Sequence, residues 1–249
     1  MRLRLDLSYD GAGFHGWATQ PDLRTVQGEL TSALQKVLRV EEIQLTVAGR
    51  TDTGVHARGQ VAHFDLAPAV LESVTGRSDV SPLASLVRRV NGVLEPDIRV
   101  RAIAMAAEGF DARFSAIWRR YCYRIADHAG CRDPLTRGFV LHWPRNLDEA
   151  LMNDAAEALL GEHDFAAFCK RREGATTIRT LLDLEWERDQ SGVLVGTVRA
   201  DAFCHNMVRS LVGCLIAIGE GRKPVTWAAQ ILEARARDSA VGVVAAHGL

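Results

Sequence analysis

The 249-residue chain has no run near the roughly 20 consecutive apolar residues that a membrane span needs, which sets aside a helical membrane protein. Its five cysteines, Cys122, Cys131, Cys169, Cys204 and Cys214, include no C-x-x-C pair, so neither a zinc ribbon nor a dithiol redox motif is supported. Idle or buried thiols in a reducing compartment are the expectation. Phosphate-binding glycine loops and a G-x-S-x-G nucleophile elbow are not expected either. None of His15, His56, His63 and His205 has the i,i+4 spacing, backed by acids or thiols, that zinc ligation uses, so each reads as a structural histidine and no metal is expected. Excess charge of one sign is also missing. The formal net charge is −1, so nucleic-acid binding would have to come from local patches. Met1 to Arg4 leads straight into alternation, so no signal peptide is expected and the cytoplasm is the default.

What is present is ordinary for a globular protein, 47% hydrophobic and 24% charged residues, in a length that allows one large domain or two smaller ones. The stretch VAGRTDTGVHARGQVAHF, Val47 to Phe64, stands out. It sets Asp52 between Arg50 and Arg58 with His56 nearby, and Gly49, Gly54 and Gly59 suggest tight bends. Apolar alternation stops at Val47 and resumes at Val61, so the charges sit on a loop between strands, a common way to build a site. The bland alternative is a solvated loop with a surface Arg–Asp pair.

Asp52-Thr53-Gly54 matches the D-T-G of aspartic proteases, but those enzymes need two aspartates sharing a proton. Arginines around a shared site would keep both carboxylates ionised and remove that proton. A lone aspartate flanked by arginines suits a nucleophile or charge stabiliser, and Arg50 or Arg58 could grip a nucleotide backbone through a bidentate fork. Arg113, Arg119, Arg120 and Arg124 interleave with Phe114, Trp118, Tyr121 and Tyr123, while Lys170, Arg171 and Arg172 lie near Phe165 and Phe168. Cations among aromatics fit unpaired RNA, whose bases stack and whose phosphates pair; the alternative is a strand with a charged outer face.

Periodicity predicts a strand at Leu3–Tyr9 and a Gly-rich loop from Asp10 to Asp22 with Phe14, His15 and Trp17 facing outward. A helix from Val26 capped by Thr25 follows, then strands at Ile43–Val47 and Val61–Phe64. Leu66 to Asp79 reads as loop, Ser81-Pro82 opens a helix to about Leu94, and Ile98–Ile103 alternates again. The order is βαββαβ. The second half repeats it with a strand at Tyr121–Ile125 and a helix from an Asn146/Glu149 capping box through Leu160. A hairpin at Thr180–Val198 and helices from Met207 to Gly219 and from Pro224 to about Ala236 complete it. A last strand is missing where the chain reaches Leu249, which would leave a sheet edge exposed. The fold class is therefore α+β: two ferredoxin-like halves, residues 1–105 with the Asp52 loop and residues 106–249. They would form a mostly antiparallel sheet with helices packed on it and a central cleft.

The segments YDGAGFHGWATQ, RTVQGEL, AGRTDTGVHARGQVAHF, FDARFSAIWRRYCYRI, HDFAAFCK, IRTL and FCHNMVRSLVGCLIAIGEG run in this order over nearly the whole chain. Together they resemble the tRNA pseudouridine synthases. The resemblance implies the pseudouridine synthase fold and an isomerase, without cofactor or metal, that converts uridine to pseudouridine at positions 38–40 of the tRNA anticodon stem-loop. It implies a homodimer whose tRNA contacts both subunits. By position it makes Asp52 the nucleophile and Arg50 the residue that displaces the base and holds Asp52. Tyr121 would stack on the flipped uracil and take the C5 proton, and Arg209 would be the basic partner of the aspartate. Phe110 to Phe114 (with Arg113) and Lys170, Arg171 and Arg172 match tRNA-contacting segments, and Arg58 stands beside the nucleophile as a backbone contact. Ala18 stands where the family commonly has glutamine, and the 66–82 loop looks longer than in many members. A silent RNA-binding module, or a synthase acting on another RNA, are the competing readings.

Overall fold

Leu3, Leu5 and Leu7 are fully buried along β1 (Arg2–Tyr9), while Arg2, Arg4 and Asp6 occupy the opposite face, as period-two alternation requires. The structure, a computed structural model, describes residues 1–74, 80–170 and 174–249. It divides into two units, Met1–Ala116 and Ile117–Leu249.

In the first unit β1 is followed by α1 (Val26–Leu38), β2 (Thr46–Val47), β3 (Ala57–Asp65), α2 (Pro68–Ser73), α3 (Pro82–Asn91) and β4 (Ile98–Met105). The sheet order β2-β3-β1-β4 with antiparallel neighbours is the ferredoxin-like arrangement. Thr25 caps α1 by accepting from the Gly28 amide, and Ser81 caps α3 ahead of Pro82, both as their residue types predict. Both helices place their apolar stripes, Leu30 and Leu34 or Leu86 and Val90, on the Leu3–Leu5–Leu7 face. Each such side chain contributes about 1.5–3 kcal/mol of apolar burial. Part of the segment read as loop after Leu66 is α2, which Pro68 opens at its first position. Residues 75–79 of that segment lie outside the described residues.

The first unit runs on past β4 to Ala116, and the segment after β4 is fastened to the first sheet. The Ala106 amide donates to the Arg2 carbonyl, Arg2 Nη1 donates to the Phe110 carbonyl at 2.7 Å, and the Ala112 amide donates to His63 Nδ1 at 3.0 Å.

The second unit contains β5 (Arg119–Ala126), β6 (Leu141–His142), α4 (Glu149–Glu157), β7 (Gly161–Asp164), β8 (Ile178–Arg188), β9 (Leu194–Ala200), α5 (Met207–Gly219) and α6 (Trp227–Ala234). Its sheet order is β6-β5-β9-β8-β7. Among the described residues the strands thus form two mostly antiparallel sheets, one in each unit. β6 and β7 were not predicted. Neither is long enough to show a period, and β6 runs parallel to β5 through Ile125–Leu141 and Ala126–His142. That short strand holds the place beside β5 that β4 holds beside β1, so this edge is partly paired rather than bare.

α4 opens on Asp148, which accepts from the Leu151 amide, and not on the predicted Asn146 capping box. α5 is buried almost all round, as its continuous apolar sequence requires, with Arg209 among the few residues reaching its surface. Gly196 faces Trp186 across β8 and β9, and a Cβ there would lie 2.7 Å from the indole, so glycine makes the room that this buried ring needs.

Candidate active site

The loop from Ala48 to His56 leaves the sheet where the Ala48 amide donates to the Val61 carbonyl, and it is gripped from two sides. From the sheet side, Gln60 Nε2 donates to the Gly49 carbonyl at 2.8 Å and to Tyr9 OH at 3.2 Å, and Tyr9 OH lies 2.7 Å from Thr51 Oγ1. Burial pushes the Tyr9 phenol above its ordinary value, so it stays protonated. From the other side comes the chain between β1 and α1. The Trp17 amide donates to the Thr51 carbonyl at 3.0 Å and the Gly54 amide to the Phe14 carbonyl at 3.3 Å. Gly11 presses so closely on the loop that a Cβ would lie 2.0 Å from the Val55 carbonyl oxygen, and Gly54 takes φ +78 to close the turn around Asp52.

Phe14 and Trp17 were expected to face outward, yet they are only 2% and 1% exposed. Aperiodic aromatics in a Gly-rich loop read as surface. Here their rings form the packing under the site, with Arg24 over Phe14 at 4.1 Å and Tyr9 6.1 Å from Trp17. Gly11-Ala12-Gly13-Phe14-His15-Gly16 does spell G-x-G-x-x-G, contrary to the expectation that no such spacing exists. The context of a dinucleotide site is absent. The sheet is antiparallel, no α-helix opens at the glycines, and Gly11 and Gly16 are used for close approach to Val55 and Thr51.

The resulting loop presents Asp52 half-buried at its turn with Arg50 exposed beside it. Arg58 lies exposed at the start of β3, where its carbonyl accepts from Arg101 Nη1 at 3.0 Å. His56 Nδ1 is 3.0 Å from both the Gly11 amide and Asp10 Oδ1. Nδ1 accepts from the amide when it carries a lone pair and donates to the carboxylate when it carries a hydrogen, so it serves one partner at a time.

Further along the first unit, Asp111 forms a tight turn in which Oδ1 accepts from the Arg113 and Phe114 amides at 2.8 and 3.0 Å. Those amides hold the Asp111 carboxyl below its ordinary value. The turn displays Phe114, 78% exposed, with Arg113 5.2 Å from its ring centroid. Phe110 instead packs back, edge-on to His63 at 6.0 Å and under Arg4 at 5.9 Å. Burial, with help from Arg2, keeps His63 below its ordinary value and neutral.

In the second unit Tyr121 lies half-buried on β5, edge-on to Phe203 at 5.1 Å. Arg209 stands in the first turn of α5 and donates from Nε to the Val244 carbonyl at 2.6 Å. Lys170 is exposed, with its amide donating to the His205 carbonyl at 2.9 Å; Arg171 and Arg172 lie outside the described residues. That backbone bond sets two segments side by side, and Cys169 and Cys204 are joined there as a disulfide with Cα atoms 5.7 Å apart. The expectation of five idle thiols therefore fails for this pair, whose 35-residue separation carried no motif.

Asp127, His128 and Cys131 bring possible metal-ligand atoms within 4.8 Å of one another. Asp127 is already engaged, by Arg188 through both oxygens at 2.9 and 2.7 Å and by the Leu147 amide at 2.8 Å. The residues that sequence reasoning missed are Tyr9, Thr51, Gln60 and Phe203. The available signal was an amide at position 60, next in its strand row to the apolar Ala62 and Phe64.

The fold and the site together define an α+β protein that offers an acid beside an arginine on a locked loop, with basic and aromatic segments on its surface. A family model described as tRNA pseudouridine synthase matches residues 155–249. Curated relatives named tRNA pseudouridine synthase A include one from Frankia casuarinae, 57% identical over the whole chain and 87% of that protein. Others come from Streptomyces griseus, 56% identical over 86% of its length, and Leifsonia xyli, 53% over 89%, each again matching the entire chain. The chain belongs to the tRNA pseudouridine synthase family.

Proposed function

We propose that the protein isomerises uridine to pseudouridine at positions 38–40 in the anticodon stem-loop of tRNA. The observation that carries the reading is Asp52, held at a turn that both the sheet and the Gly11–Trp17 segment grip, with Arg50 next to it. In this reaction the N1–C1′ bond of the nucleotide breaks, a C5–C1′ bond forms, the C5 proton leaves and N1 takes up a proton, so the product is an isomer of the uridine. Asp52 is the nucleophile that begins the cleavage. Arg50 displaces the target base from its stack, a step that costs a few kcal/mol and must be offset by contacts in the site. Tyr121 stacks on the extruded uracil and takes the C5 proton; an unperturbed phenol, with a pKa near 10, needs a charged neighbour for that work. Arg209 is the basic partner of the aspartate. Arg58, Phe110, Arg113, Phe114, Lys170, Arg171 and Arg172 form the RNA-binding set, in which cations meet phosphates and the exposed Phe114 ring offers a stacking face.

The working form is a cytoplasmic homodimer with each tRNA touching both subunits. In a compartment held reducing, Cys169 and Cys204 would stand as neighbouring thiols.

The test is tritium release from tRNA labelled at uridine C5, with wild type beside Asp52→Asn. Wild type releases label, and the variant releases none while binding tRNA within a few-fold of wild type. Turnover by Asp52→Asn would sink the nucleophile assignment, and binding without release by wild type would favour a silent RNA-binding module.

A further inference from the structure

Residue 60 pairs with Leu7 of β1, in a row of β3 where Ala62 and Phe64 are fully buried. An apolar side chain would suit this row. The chain instead places a primary amide there, 8% exposed, against the buried phenol of Tyr9 and the buried hydroxyl of Thr51. Chemistry fixes the direction of the two bonds that Gln60 makes. An amide nitrogen only donates, so Gln60 Nε2 gives one hydrogen to the Gly49 carbonyl and the other to Tyr9 OH. The same phenol shares a second hydrogen bond with Thr51 Oγ1, 2.7 Å away, in which either hydroxyl can donate.

The chain Gly49–Gln60–Tyr9–Thr51 therefore grips the residues on both sides of Arg50, and the residue just before Asp52, from within the core. Replacing buried hydrogen-bonding partners by apolar groups of the same shape is often close to neutral for folding, so stability alone gives little reason for three polar side chains here. A reacting group displaced by about 1 Å, by contrast, can cost about a hundredfold in rate.

We propose that Tyr9 and Gln60 are positioning residues for the isomerisation: acting through Gly49 and Thr51, they fix the directions in which Arg50 and Asp52 leave the loop. This rests on the reading of Asp52 as the nucleophile. Neither residue need touch the uridine. The grip completes the one made by the Trp17 and Gly54 amides, so residues 49–54 are held on both faces.

The experiment compares Tyr9→Phe, Thr51→Val, Gln60→Met and the Tyr9→Phe/Gln60→Met double variant in the full chain. For each, kcat, KM, tRNA affinity and the thermal midpoint are measured. Each single variant lowers kcat by about tenfold or more while KM and tRNA affinity stay within about twofold. The double variant is no slower than the worse single one, because the residues act as one unit. Thr51→Ser, which keeps the hydroxyl, regains most of what Thr51→Val loses. Unchanged kcat in Tyr9→Phe and Thr51→Val overturns the proposal, as do losses that vanish on assay well below each variant's thermal midpoint, since those report folding alone. Asp52→Asn runs beside them. If it turns over, the nucleophile reading has failed; if it is dead while Tyr9→Phe and Thr51→Val keep full kcat, only the positioning role has failed.

Discussion

In the first unit the buried polar groups under the Asp52 loop are neutral: an amide, a phenol and a hydroxyl. In the second unit the buried polar centre is an ion pair. Asp127, 1% exposed, takes Arg188 through both carboxylate oxygens, and the same guanidinium donates to the carbonyls of Leu147 and Gly192. The neutral network sets the direction of a loop and asks little of the fold. The ion pair ties the end of β5, the approach to α4 and the β8–β9 hairpin together, and it is costly to break. The difference teaches that polar burial in this protein serves aim in one unit and cohesion in the other.

The sharpest way to break that contrast is Arg188→Ala. It leaves Asp127 charged and buried without its partner, which costs about 3–5 kcal/mol. Urea unfolding followed by a probe in the second unit measures the loss, and a change under about 1 kcal/mol would reduce the pair to an ornament of the surface. Gly11→Ala comes next. Its Cβ would fall 2.0 Å from the Val55 carbonyl oxygen, so backbone must move, at about 1–3 kcal/mol. The larger mark falls on kcat, which drops by about a hundredfold as the loop shifts. A variant with normal kcat would show that the Gly11 contact does not set the loop.

Acid separates the units further. His63 is held below its ordinary 6.5 by burial and Arg2, with Asp111 and Asp65 opposing. Its contribution is therefore whole above that value and is lost as pH falls through it toward the depressed folded value. Protonation also takes the acceptor from the Ala112 amide. In the second unit burial pushes the Asp127 carboxyl up, but Arg188 and the Leu147 amide more than offset this and leave it below 3.8. Its share is lost only as pH falls under about 3.8. Relative to its intrinsic rate, amide exchange at Ala112 should accelerate as the pH falls below 6.5 while Leu147 stays protected; simultaneous loss at both would erase the distinction. The smallest effect is expected from Tyr123→Phe, which frees the Ala245 carbonyl now 2.7 Å from the phenol and removes about 1 kcal/mol from the second unit. Calorimetry checks it, and an unaltered midpoint would mean that water replaces the hydroxyl.

Local chemistry explains what could be read ahead of the structure. Thr25 and Ser81-Pro82 announce their helices because capping is decided by a few adjacent atoms, and α5 announces itself by an unbroken apolar run. The Asp52 loop was legible because its charges interrupt two alternating strands. β6, the Cys169–Cys204 pair and the burial of Phe14 and Trp17 were not, since each depends on which distant segment arrives alongside. Gln60 was the subtlest. Its neighbours in sequence give no hint that it reaches back to Gly49 and across to Tyr9.

The Asp111 turn carries a last consequence. Its carboxylate fixes the Arg113 and Phe114 amides, and Ser115 closes the hoop by exchanging bonds with Asp111. The backbone beneath an exposed ring is thereby ordered when the chain folds. A surface prepared in this way loses less conformational freedom on capture than a loose loop does, so more of each contact's energy remains as affinity.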